Sequence, residues 1–162
     1  MLHYDDSSRD DWAVEWFMDP RCTNGYTWLV LDDGQVVELA DPGMRTPHAG
    51  VCRTPNANSR FYGIAAATNS QQPVTIKQFD AVVSVVAALF KHHGWLASDV
   101  SWRIVGHDAE AVFSAANTRD RSRWGRLGRK VDPTGQRTDG LPILDVLTVR
   151  HAVAWRLAYL EG

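Results

Sequence analysis

A chain of 162 residues, 44% hydrophobic and 22% charged, has material for one ordinary buried core, and that composition excludes a disordered or low-complexity protein. A formal net charge of -2 gives no global attraction for nucleic acid or an anionic membrane surface, and no apolar run reaches membrane-spanning length. Two cysteines, Cys22 and Cys52, make no disulfide framework and read as free thiols. The opening Met1-Leu2-His3-Tyr4-Asp5-Asp6 has neither the basic nor the hydrophobic region of a signal peptide. The expectation is a single domain over residues 1–162, monomeric and cytoplasmic as synthesised, reaching anything outside the membrane only if a separate factor releases it.

Taken in order, residues 1–4 read as the end of a first strand with His3 at its tip. A lone histidine near a terminus is ordinarily a solvated surface residue. Ser7 or Ser8 can cap a helix on which Trp12, Trp16 and Phe17 recur at helical spacing until Pro20. That spacing predicts an amphipathic helix with its aromatic face on a sheet. Residues 26–39 read as a hairpin: a β-rich arm from Tyr26, an Asp32-Asp33-Gly34 turn, and a returning arm through Val36 and Val37. Tyr26, taken alone, reads as packing.

Residues 41–58 are rich in Pro, Gly and Asn and read as loop, with small residues after His48 that permit close approach. Residues 61–67 read as a buried strand. Thr75 with Gln78 three residues on fits a capping box, and Ile76, Phe79, Val82, Val83, Val86, Leu89 and Phe90 follow at helical spacing. This helix is apolar nearly all round and is expected at the centre of the core. His92 and His93 sit at its C-terminal end, where the dipole favours cations. A last helix is expected over residues 143–160, with His151 on its surface. Strands and helices intermixed with an early hairpin indicate α/β or α+β, a central mixed β-sheet flanked by helices.

The chemistry concentrates between Trp102 and Pro133. Residues 102–105 read as a short apolar strand that stops at Gly106-His107, which sets a histidine on a rigid edge. Lys130-Val131-Asp132-Pro133 offers a cation beside an oxygen ligand. His nitrogen and Asp oxygen both suit zinc, and a catalytic zinc has three protein ligands and an open position, so a third ligand has to come from elsewhere in the chain. Between them lie Arg119, Arg121, Arg123, Arg126 and Arg129, with Trp124 among them. That stretch is either a solvated loop or a substrate wall, its arginines suited to carboxylates or phosphates and its indole to a sugar ring.

His3-Tyr4 after an apolar start resembles the first metal-ligand motif of the zinc-dependent N-acetylmuramoyl-L-alanine amidases. This is the type 2 amidase family of phage endolysins, bacterial cell-wall amidases and peptidoglycan recognition proteins. Further motifs resemble the family's in the family's order. Gly25-Tyr26-Thr27-Trp28-Leu29-Val30 through Asp33-Gly34 is similar to its hairpin, and Pro47-His48-Ala49-Gly50 to its His-Ala-Gly loop. Asn58-Ser59 through Gly63-Ile64 is loosely similar to its Asn-x-x-Ser-Ile-Gly strand. Thr75-x-x-Gln78, Gly106-His107-Asp108 and Lys130-x-Asp132-Pro133 complete the set.

The resemblance implies a Zn2+ cofactor held by His3, His107 and Asp132, catalytic roles for Tyr26 and Lys130, and a substrate site lined by His48. The implied reaction hydrolyses the amide joining N-acetylmuramic acid to L-alanine in peptidoglycan or a muropeptide. Tyr26 orients the attacking water or relays its proton, and Lys130 stabilises the oxyanion. Some members carry a Glu on the strand after Ser-Ile-Gly; Ile64-Ala65-Ala66 has none, so the chain resembles the tyrosine-using branch of phage endolysins and recognition proteins. A phage-type endolysin is the reading that follows. A cytosolic amidase recycling soluble muropeptides and a non-catalytic peptidoglycan-binding module are the alternatives.

Overall fold

The computed structural model describes residues 1–5, 9–49, 52–69, 72–107 and 143–160. Among these residues four short strands form one mixed sheet in the order β1-β4-β2-β3: β1 Leu2–Tyr4, β2 Trp28–Val30, β3 Val36–Glu38 and β4 Ile64–Ala66. Both β1 and β2 run parallel to β4, and β3 returns antiparallel to β2 as the predicted hairpin. Beyond β1 the chain at Gly106 adds a parallel bridge to Leu2, and the Leu2 amide donates to the Val105 carbonyl at 2.8 Å. Thus β1, although nearly the first thing in the sequence, is an interior strand.

Alternation along the strands sends side chains to two cores. Leu2, Val30 and Ile64 face α3 (Ile76–His93) and α5 (Val146–Leu160), joining Val82, Val86, Phe90, Val149, Val153 and Leu157. Leu29 and Ala65 pack on the other side with Ala13 of α1 (Asp10–Met18). The central strand is buried on both faces, and Ala65 and Ala66 are small enough to let those layers close over it.

Helix α3 starts where the capping box places it. The Thr75 hydroxyl accepts from the Gln78 amide at 3.0 Å, and the Gln78 side-chain oxygen accepts from the Thr75 amide at 2.9 Å. It ends at Gly94, whose φ of 65° is the left-handed cap that costs a glycine little. Thr75→Ala is expected to lower unfolding stability by about 1 kcal/mol in a urea titration. The helix is not buried all round, as its composition suggested. Ile76 is 88% exposed, and the buried stripe is Gln78, Val82, Val83, Val86, Ala87 and Phe90, because sheet and α5 cover one side only.

Three other expectations change. The residues expected as a strand over 102–105 split: Trp102 and Arg103 end the short helix α4 (Val100–Arg103), and extended chain begins at Ile104. The Arg103 guanidinium lies over the Trp95 and Trp102 rings at 4.1 and 4.0 Å and pairs with Asp99 one turn back, contacts that favour the helical turn. Helix α1 does not lay its indoles on the sheet. Ala13, Val14 and Phe17 face it, while Trp12 and Trp16 are exposed. Its N-cap is Arg9, without a side-chain cap, and Ser7 and Ser8 lie outside the described residues. The last helix begins at Val146, where the Asp145 carboxylate accepts from the Thr148 amide at 3.1 Å; Ile143 and Leu144 precede it as buried core residues, and His151 is exposed as expected. Among the described residues no helix is long and apolar enough to cross a membrane.

Candidate functional site

His3 sits in the middle of β1 rather than at a tip, paired in register with Ala65, and its side chain is 0% exposed. The surface reading of a terminal histidine fails because β4 closes one side of the strand and Gly106 the other. A neighbour as small as Ala65 leaves space for the imidazole.

The Gly106 bridge that makes β1 interior also delivers His107 beside it. His107 is 1% exposed, and its ring centroid lies 4.6 Å from that of His3. Its Nε2 is 2.8 Å from the Ala49 carbonyl oxygen, which can only accept, so Nε2 donates there. Tyr26, at the mouth of β2, holds its ring 4.9 Å from His3, backed by Phe17 at 5.1 Å.

His48 closes the group. Its Nδ1 lies 3.0 Å from His3 Nε2, its Nε2 lies 3.0 Å from the Phe61 carbonyl oxygen, and its side chain is 7% exposed. Burial first, and then the adjacent His3, push the His48 imidazole down to about 3, so it is neutral at physiological pH. The loop that carries it is pinned by the Ala49 amide, which donates to Asn58 Oδ1 at 2.7 Å. Asn58 entered the sequence reading only as part of a motif. Its anchoring role depends on a contact nine residues away, and local patterning carries no signal for it.

Four of the expected site residues, His3, Tyr26, His48 and His107, therefore come together from four separate parts of the chain. Lys130 and Asp132, and with them Trp124, lie outside the described residues. Among the described residues no group of three His, Cys, Asp or Glu side chains is placed to hold a metal ion. His92 and His93 remain a feature of the α3 terminus: His93 Nε2 is 2.9 Å from the Tyr62 hydroxyl, and its ring stacks on Trp95 at 4.4 Å.

A comparison with curated proteins gives no match. A family model described as N-acetylmuramoyl-L-alanine amidase matches residues 1–135, which span the four described strands, α1, the short helix α2 (Ala57–Arg60), α3, α4 and the whole histidine cluster. With most of its length matched and the mixed sheet in place, the chain belongs to the N-acetylmuramoyl-L-alanine amidase family, enzymes that hydrolyse an amide bond of peptidoglycan.

Proposed function

We propose that the chain is a zinc-dependent amidase that cuts between N-acetylmuramic acid and L-alanine, working on intact cell wall as a phage-type endolysin. The observation that carries this reading is the pair of buried imidazoles, His3 and His107, with rings 4.6 Å apart beside Tyr26. Two buried, adjacent imidazoles are poor neighbours if either is charged and good ones if both turn electron pairs toward a cation. His107 also has the bond that metal-ligating histidines commonly make, with its second ring nitrogen on a backbone carbonyl. The donor set therefore fits zinc, with His3 and His107 as two ligands and Asp132 as the proposed third.

Zinc held there would supply Lewis-acid chemistry and make a water acidic enough to ionise near neutral pH. Tyr26, against His3, is placed to orient the attacking water or to relay a proton through its hydroxyl. Lys130 holds the carbonyl oxygen as it gains negative charge, and Trp124 supplies a face for the sugar. Ile64, Ala65 and Ala66, buried and without an acid among them, leave Tyr26 rather than a carboxylate on β4 for the proton work. This tyrosine-using arrangement supports the endolysin reading.

Tyr26→Phe is expected to lower the rate of amide hydrolysis about a hundredfold while bound zinc stays unchanged. Purified protein given intact sacculi and, separately, soluble muropeptides distinguishes the roles. The endolysin reading predicts release of stem peptides from intact sacculi. Cleavage of soluble fragments alone would assign a recycling enzyme, and wall binding with no cleavage of either substrate a binding module.

A further inference from the structure

We propose that His48 is a positioning residue that fixes His3 in the tautomer with its proton on Nε2, and that position 63 is glycine to make room for the His48 ring. The direction of the hydrogen bonds follows from a partner that has no choice. The Phe61 carbonyl oxygen can only accept, so His48 Nε2 carries a proton. A buried neutral imidazole has one N–H, which leaves His48 Nδ1 as an acceptor. His3 Nε2, 3.0 Å away, must then donate to it. A neutral His3 is left with its lone pair on Nδ1.

His107 reaches the same tautomer by a separate route, through the Ala49 carbonyl. Two consecutive residues of one loop, His48 by its side chain and Ala49 by its backbone, thus orient both imidazoles, and the Asn58 side chain holds that loop by the Ala49 amide. An independent feature shows that the His48 ring is seated. A Cβ built on Gly63 would meet His48 Cγ at 2.8 Å, too close for the ring to stay in place, and Cδ2 at 3.0 Å and Cβ at 3.1 Å, both tighter than an ordinary contact. The tautomer assignment stands on the protein alone; its use, presenting His3 Nδ1 to a metal, rests on the zinc reading above.

The experiment reads tautomers in the metal-free protein by long-range 1H–15N correlation of the histidine rings, and zinc affinity separately by competition with a chromogenic chelator. Wild type is expected to show His3 and His107 protonated at Nε2. In His48→Ala, His3 loses its single tautomer while His107 keeps it, and zinc affinity falls about 10- to 100-fold. His48→Asn restores both, because its Oδ1 stands near the place of Nδ1 and accepts from His3. Gly63→Ala retains every histidine but displaces the ring, and it is expected to reproduce the His48→Ala signature. His3 protonated at Nδ1 in wild type, or a His3 tautomer unchanged in both His48→Ala and Gly63→Ala, would overturn the proposal. Failures of the two readings separate cleanly. Zinc uptake by a wild type with His3 in the other tautomer removes the positioning role of His48 and leaves the zinc reading. The expected tautomers in a wild type that takes up no zinc leave the positioning role and remove the zinc site.

Discussion

His107→Ala is expected to remove bound zinc and to lower peptidoglycan amide hydrolysis by about a thousandfold or more. The proposed ligand set has three protein donors, and loss of one leaves a two-donor site. The several kcal/mol of transition-state charge stabilisation that a metal supplies go with it, and about 4 kcal/mol corresponds to a thousandfold in rate. The substitution also leaves the Ala49 carbonyl without the donor at 2.8 Å and opens a space at a 1% exposed position, so some loss of stability accompanies it. The comparison is therefore made well below the variant's unfolding midpoint, with zinc per chain and free L-alanine amino termini measured on the same preparation. Activity within tenfold of wild type in a variant that retains zinc would remove His107 from the site.

The largest effect on stability is expected at a polar residue. Gln78 is fully buried in the first turn of α3. Its amide nitrogen donates to the Val30 carbonyl at 3.2 Å and the Ala67 carbonyl at 2.9 Å, and its oxygen accepts from the Thr75 amide. One side chain thus completes the cap of the main helix and ties that helix to the ends of β2 and β4. Gln78→Ala opens a cavity and takes these partners from buried backbone groups, each of which costs about 1–3 kcal/mol when left unsatisfied. The Val30 carbonyl keeps one bond, from the Ala67 amide, so the sum is moderated. A loss of about 3–4 kcal/mol is expected in a urea titration with unchanged slope, several times the effect of Thr75→Ala at the same cap. A loss below about 1 kcal/mol would mean that the Gln78 contacts contribute little beyond the capping box.

What could be read from the sequence was what short-range physics decides. Thr75-x-x-Gln78 is a local signal, and it starts α3 where the helix begins. The Asp32-Asp33-Gly34 turn marked the hairpin, whose strands pair with Val30 opposite Val36. The misreadings have non-local or competing causes. Trp102-Arg103-Ile104-Val105 is apolar enough for a strand, but the stacking of Arg103 between two indoles holds its first half in helix. Trp12 and Trp16 have helical spacing, yet the sheet surface beneath α1 is covered by Ala13, Val14 and Phe17.

The site divides the same way. His107 stood out by its place after an apolar stretch and a glycine, and His3, Tyr26 and His48 by the order of family-like motifs. Nothing in a three-residue strand announces that His3 is buried, because its burial comes from β4 and Gly106, some 60 and 100 residues further on. The contact of His48 with Gly63 was out of reach for the same reason: glycine there reads as an ordinary strand residue until the ring that fills its side-chain space is seen.

The central claim, that this chain is a zinc-dependent N-acetylmuramoyl-L-alanine amidase, is tested most directly by product analysis of digested peptidoglycan before and after chelation. The account predicts about one zinc per chain, free stem peptides with new L-alanine amino termini, glycan strands without new reducing ends, and loss of all cleavage on chelation with recovery on adding zinc. Cleavage that continues in the metal-free protein, or zinc-loaded protein that releases no stem peptide from either sacculi or soluble muropeptides, would contradict it.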